Sequence, residues 1–362
     1  MTYLRIVSEG SQSFGFAQDR PRVEALNGAK GLLLDNFFCP PDNEHDMLFR
    51  IVSLLCSLFI IFTEERTAWG GVPTIRVAIL KGLRSLDIQA RDLTIRDLKS
   101  FQKLYESRNP LHIIVVGERD GMRINGVLHK TSLVSVTTTN PILTINGKTY
   151  RGKLEVAKGH DSTLTIINEL DMEKYLTGLI NHEISSAWNM EAVKAQAVVA
   201  RTYGLFMKSQ KQEDFYDLES SVLDQVYGGS IAEDERAHRA VQETQGEILT
   251  YRGQPIHAFY HSCCGGRTEA SRYFSGEDLP YLRGVSCKFC INSPAYFWIY
   301  SISLEKLSNI LSREGLRVGR ISNISVSKRS PSHRALEFSI TSESGTVVIS
   351  GEKMRRTIGY DR

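Results

Sequence analysis

The chain has 362 residues, 41% of them hydrophobic, which is ample for a globular core and, as a prior on length, for about two or three domains. Lys and Arg total 44 against 41 Asp and Glu, and the formal net charge is +3. With no long basic block, that balance excludes an electrostatic case for a nucleic-acid partner, and no internal repeat or low-complexity tract is present.

Residues 1–46 carry no sustained period of either kind. They read as a misassigned amino-terminal extension, with the gene starting at Met47. Arg50 then precedes an almost wholly apolar run from Ile51 to Phe62. That run is shorter than the roughly 20 residues a spanning helix needs, and it fits the core of a secretory signal. Small residues in Ala68-Trp69-Gly70 place cleavage after Gly70, so residues 47–70 are the expected signal peptide. The competing reading is an ordinary buried segment. Bulky Leu55 before Cys56 argues against a lipid anchor there. Export implies an oxidising compartment, periplasm or cell wall, and no stable membrane span once the signal is removed.

From Thr74 to about Asn168 the chain reads as short strands. β-Branched residues are dense, and Asn-Gly and Lys-Gly pairs break the runs as hairpin turns do. The period changes after Asp171. Met172, Tyr175, Leu176 and Leu179 fall at helical spacing. "NMEAVKAQAVVARTYGLFMKS" is apolar on nearly all faces and predicts a buried helix, with Asn189 as its N-cap. "DERAHRAVQETQG" predicts another helix, stopped by Gly246. A hairpin is expected around Arg252-Gly253, and strands again from Ile321 to Ile349. The fold class is α+β: antiparallel sheets with a central buried-helix segment. The expected divisions are a β-rich part over 71–168, a core over 169–300 and a β-rich part over 301–362.

The stretch "NHEISSAWNM" raises the question of function. A zinc-protease helix needs His-Glu-x-x-His, and the last position here is Ser186, so the spacing fails. Glu183 as an acid is the stronger reading. It precedes an apolar helix and neighbours Trp188, and a carboxyl held against apolar surface loses ionisation and can donate a proton near neutral pH. Arg201 is a candidate to orient a carboxylate or a sugar carboxyl. The bland alternative is a solvated Glu183 and a surface Arg201.

Several blocks in order carry a resemblance: "YLTGLINHEISSAWNMEAVKAQAVVARTYGL", "DQVYGG", "AVQETQGEILTYRGQPIHAFYHSCCGGRTEAS" and "LPYLRGVSC". From Ile75 to the carboxyl end the chain resembles the SpoIID/LytB family, which contains the sporulation stage II protein D and the amidase enhancer. The resemblance implies an α+β domain and a lytic transglycosylase acting on peptide-free peptidoglycan strands. It places the family's catalytic acid on Glu183 and the family's arginine on Arg201. A lytic transglycosylase manages with one carboxylate, because the C6 hydroxyl of the same muramic acid attacks intramolecularly. Glu191 and Glu269 are the nearest other carboxylates. Glu191 is explained by its helix start, and Glu269 is a candidate binding residue. The family's other name implies a second possibility, a non-catalytic wall-binding protein that activates an amidase.

Gln225, Tyr227 and Gly228 match the family's "QVYGG" block, which supplies an aromatic face and amide donors for a sugar; for Tyr227 a core role stands equally. Tyr260, His261 and Ser262 lie at a strand end before Gly265 and Gly266, a turn that a ligand can approach closely. His261 is either a site residue or a hydrogen-bonded core histidine. Tyr296 and Trp298 could stack on sugars, and packing is the competing reading. No cofactor is required by this chemistry. Cys263, Cys264, Cys287 and Cys290 form a structural zinc cluster, with His261 or His257 as alternative ligands, or two disulfides, or remain free thiols. The zinc of some relatives uses a different loop, whose positions are neither Cys nor His here. Ser185, Ala187 and Asn189 stand where many relatives have proline or serine, and His333 where relatives often have glycine. The chain ends at "RRTIGYDR", where relatives usually continue for another strand, so an open sheet edge is expected there.

Overall fold

The computed structural model describes residues 3–8, 73–108, 111–140, 142–211, 214–221 and 224–359. The expected signal segment, Cys39 and Cys56 lie outside them. Within the expected extension, the backbone of Tyr3–Ser8 pairs antiparallel with Trp298–Ser303.

A seven-stranded sheet is ordered Leu218–Glu219, Thr74–Leu83, Leu164–Asp171, Lys153–Lys158, Leu133–Thr137, Leu93–Asp97 and Lys103–Ser107. Its neighbours are antiparallel except at Leu218–Glu219, which runs parallel to Thr74–Leu83. A six-stranded sheet runs Lys148–Arg151, Ile142–Ile145, Ser85–Ala90, Leu111–Glu118, Gly121–Ile124 and Val127–His129. Alternation sends one face of each strand inward: Leu154 and Val156 are buried while Glu155 between them is not. Val77, Val134 and Ile166 from one sheet join Ile88, Ile113 and Leu143 from the other in one continuous core.

The expected hairpins form, for the expected reason. Asn146 and Gly147 have φ of 46° and 80°, and Arg252 and Gly253 have 52° and 76°. Two successive left-handed residues are what a two-residue turn matched to strand twist requires.

Helices follow the seven-stranded sheet. Helix α1 (Met172–Glu183) starts where the Asp171 side chain accepts from the Glu173 and Lys174 amides. Helix α2 (Met190–Gln210) is capped by Asn189, which accepts from Glu191 N–H, and it is buried along most of its length. Helix α3 (Glu235–Glu243) is capped by Asp234, and Gly246 beyond it has φ of 74°.

The region 301–362 holds the expected strands together with two helices. A three-stranded sheet, Ile321–Arg329, Ala335–Ser342 and Gly345–Ser350, is joined by helices α4 (Leu304–Arg313) and α5 (Gly351–Ile358). They enclose a second core of Leu307, Leu311, Phe338, Ile340, Met354 and Ile358. Ser303 and Ser350 cap these helices by accepting from the amides of Lys306 and Lys353. Gly345–Ser350 is an edge strand of this sheet, and the chain after Ser350 turns directly into α5.

Candidate active site

Glu183 is the last residue of α1, and Ile184 leaves the helix in an extended conformation. Leu176, Leu179, Ile180 and Tyr175 hold the same helix against the core, so the carboxyl is carried inward and is only 6% exposed. Burial disfavours its charged form and raises its pKa from 4.5 to about 7. Two hydrogen bonds oppose that shift: Val226 N–H donates to Oε1 at 3.0 Å, and the Tyr260 hydroxyl donates to the carboxyl. Desolvation wins, leaving a carboxylic acid partly protonated at neutral pH.

The "QVYGG" loop reaches Glu183 because two glycines let backbones touch. A Cβ on Gly228 would sit 1.7 Å from His182 Nε2, and one on Gly178 would sit 2.8 Å from Gly229 O. The loop therefore lies directly on α1, with Gly228 N–H bonded to Gly178 O at 3.3 Å, and this aims the Val226 amide at Glu183.

The surrounding polar groups form a chain. Tyr175 donates to Gln225 Oε1 at 2.9 Å, and Gln225 Nε2 donates to Ala200 O at 3.3 Å and to the Tyr260 oxygen at 3.4 Å. Tyr203 donates to Asp224 Oδ1 at 2.9 Å, and the Glu219 amide donates to Asp224 Oδ2 at 2.8 Å. Burial and the neighbouring Glu183 charge push the Tyr260 phenol well up, so it remains a neutral donor.

Several expected site residues have other roles. Gln225 is fully buried, and both its amide ends are engaged by protein, so it braces Tyr260 and Tyr175 rather than offering a sugar its donors. Tyr227 is core: its ring lies 5.1 Å from that of Tyr175 and 6.0 Å from that of Tyr150. Arg201 is 1% exposed, and its Nε and Nη2 grip both oxygens of Glu173 at 2.9 and 2.6 Å, with Nη1 on Glu247 O at 3.0 Å. Glu173 stands in the first turn of α1 and Glu183 at its end, on the order of 15 Å apart along the helix. Arg201 thus anchors α1 from the far end and does not meet the acid. Ser262 is buried and His261 half-buried just before the cysteine-bearing turn, and desolvation of the ring lowers the His261 pKa to about 4. His257 stacks on Phe206 at 4.4 Å.

The remaining expected residues gather elsewhere. Gly265 and Gly266, with φ of 62° and 98°, form the turn after the cysteine pair. Tyr296 closes a turn onto Ser293 O at 2.9 Å, in the segment after Cys290. Trp298 flanks the second core. Glu269 accepts from Ser330, Ser332 and the Ala270 amide, and it lines a cleft of about 520 Å³. Arg267, Arg272, Tyr273 and Arg283 line the same cleft. Asp278 offsets Arg272 at 3.4 Å, whereas Arg267 and Arg283 form no ion pair among the described residues.

Sequence reasoning missed Tyr175, Tyr203, Asp224 and the Val226 amide. Tyr175 was detectable, because positions 175, 179 and 183 are successive turns on one helical face.

The fold is α+β and presents buried Glu183 from the end of α1, with the Gly228-Gly229 loop laid across that helix. Residues 160–251 match the SpoIID family model, described as Stage II sporulation protein. An uncharacterized protein of Brachyspira hyodysenteriae is 33% identical over 63% of this chain and 61% of its own length. The amidase enhancer of Bacillus subtilis is 35% identical over 36% of this chain and 17% of its own. Stage II sporulation protein D of Bacillus amyloliquefaciens is 26% identical over 52% and 56%. The chain spans less than two thirds of each of these relatives. Among the described residues, no helix is long and apolar enough to cross a membrane.

Proposed function

We propose that the protein is an exported lytic transglycosylase of the periplasm or cell wall that cuts peptide-free peptidoglycan strands. The observation that carries this reading is the buried Glu183 carboxyl, with a pKa of about 7 and the Tyr260 hydroxyl on it. Protonated Glu183 gives its proton to the glycosidic oxygen as the bond from C1 of muramic acid to that oxygen breaks. The resulting carboxylate takes the proton of the C6 hydroxyl of the same sugar as that oxygen bonds to C1. The products are a 1,6-anhydro end and a new free hydroxyl end, and no water is consumed. Tyr260 and the Val226 amide support the transient carboxylate.

The arginine-lined cleft favours the peptide-free substrate. Removing the peptide leaves a free lactyl carboxylate on each muramic acid, and Arg267 and Arg283 suit such anions.

The test is to incubate the chain and its Glu183→Gln variant with amidase-treated, peptide-free peptidoglycan and weigh the soluble products. Anhydro-ended fragments from the first alone support the enzyme. Fragments from neither, with both folded and sedimenting with glycan, overturn it. A second reading, activation of a cell-wall amidase, draws on the relative named amidase enhancer. It predicts faster peptide release by an added amidase, undiminished in the Gln variant.

A further inference from the structure

Three cysteines that the glycan chemistry does not use, Cys264, Cys287 and Cys290, meet in the segment after Tyr260, with Cys263 next to them in sequence. The sulfurs of Cys264, Cys287 and Cys290 all lie within 4.8 Å of one another. Cys264 Sγ is 3.3 Å from Cys290 Sγ, and Cys287 Sγ is 3.8 Å from Cys290 Sγ. Cys263 Sγ is not within that distance of all three, and it accepts from the Gly265 amide at 3.4 Å. A tetrahedral zinc with Zn–S bonds of about 2.3 Å holds its sulfurs about 3.8 Å apart; the Cys287–Cys290 separation matches, and the 3.3 Å Cys264–Cys290 separation would widen slightly on binding.

The protein around the sulfurs suits thiolates. Cys264 N–H points at Cys290 Sγ at 3.5 Å, and Gly265 N–H points at Cys263 Sγ at 3.4 Å. Amide donors aimed at sulfur are what a metal thiolate centre needs around it. Arg334 is 6% exposed, donates from Nη2 to Cys264 O at 2.8 Å, and has no hydrogen-bond partner for Nε or Nη1 among the described residues. Glu269 Oε2 is 3.9 Å from Nη1. A buried guanidinium left so incompletely paired is costly unless negative charge lies beside it, and an anionic thiolate cluster supplies that charge.

We infer that Cys264, Cys287 and Cys290, with Cys263 as fourth ligand, bind one structural divalent zinc ion that ties the loop after Tyr260 to the 287–293 segment. Binding releases the thiol protons: four Cys–SH and one Zn²⁺ give a zinc tetrathiolate of net charge −2 and four H⁺. All four coordination positions are filled by protein, so the ion is not a catalytic one. Its place in the chain gives it a positioning function, because Tyr260 stands three residues before Cys263 and its hydroxyl is on Glu183.

The full chain, purified without chelator, should carry one zinc per molecule by elemental analysis. Cobalt(II) exchanged into the site should show the intense absorption of tetrahedral thiolate coordination, a signal independent of glycan activity. Cys290→Ser should lose the metal, and Cys263→Ser should weaken its retention at least tenfold in a chelator competition. A milder variant, Arg334→Lys, should stay folded and keep the metal. Protein that is folded and free of metal, does not take up cobalt, and after denaturation without reductant lacks four of its six thiols contains two disulfides, and the inference falls. Metal retained unchanged in Cys290→Ser would also overturn it.

Discussion

The amide of Val226 donates to Oε1 of Glu183 at 3.0 Å, and that bond is all the backbone offers a carboxyl that is otherwise desolvated. One amide and one phenol are too little to keep the charged form favoured inside a core. The consequence appears in stability. In the unfolded chain Glu183 ionises near 4.5, and in the fold near 7. A raised folded pKa means that the folded state holds the proton more tightly, so its contribution is complete below pH 4.5 and is lost as pH rises towards 7. The loss is on the order of 3 kcal/mol. Denaturant melts of the chain and of Glu183→Gln at pH 5 and pH 8 should show the parent losing about that much more than the variant. An equal gap between the two proteins at both pH values would mean that the carboxyl is not held neutral.

The Tyr260 hydroxyl lowers the Glu183 pKa by stabilising the carboxylate. Tyr260→Phe removes that donor while keeping the ring. If glycan cleavage needs the protonated acid, activity falls on the alkaline side of about pH 7, and in the Phe variant that limb should move to higher pH. The pH–rate profile on peptide-free glycan separates this from simple damage, which would lower the whole curve without moving the limb.

Arg201 and Glu173 form a bidentate pair with the guanidinium buried. Truncating one partner leaves charge without compensation, so Arg201→Ala should destabilise by about 3–5 kcal/mol. Adding Glu173→Ala should recover part of that loss, and a double-mutant cycle in urea measures it. Strictly additive losses would show the pair to be uncoupled. The alkaline limb set by Glu183 should stay in place in any folded Arg201 variant, because Arg201 acts on the far end of α1.

The pattern of legibility follows from what each signal encodes. Strand alternation and Asn-Gly turns are local, and the hairpins around Asn146 and Arg252 were readable for that reason. Helix α2 and its Asn189 cap were equally local. Helices α4 and α5 were not read, although Leu304, Leu307 and Leu311 fall at helical spacing in α4; both are short and take much of their stability from a core shared with Phe338 and Ile340. Glu183 was singled out from its place before an apolar helix, and its burial agrees with that reading, whereas Tyr175, Tyr203 and Asp224 around it were not read. "ARTY" pointed to Arg201, yet Tyr203, two residues and about 200° further around α2, is the member tied to Asp224 in the network beside Glu183. Gln225 looked like a recognition group and Tyr227 equally like one or like core; their burial, and the Gly228 contact with His182, show that the loop is pressed into the core.

That contact gives a last test, at a distance from the reacting atoms. A Cβ on Gly228 would stand 1.7 Å from His182 Nε2 and 2.3 Å from its Cδ2, so the loop or the imidazole must move. Overpacking of this kind costs about 1–3 kcal/mol, and Gly228→Ala should lose that much in a denaturant melt. Moving the loop also withdraws the Val226 amide, which lowers the Glu183 pKa. Its loss should push that pKa further up, raising the alkaline limb of cleavage as Tyr260→Phe does. The clash involves the far end of one side chain, so His182→Ala in the same molecule should restore both the stability and the limb. If the second substitution restores neither, the glycine serves the loop's own conformation and not its contact with α1.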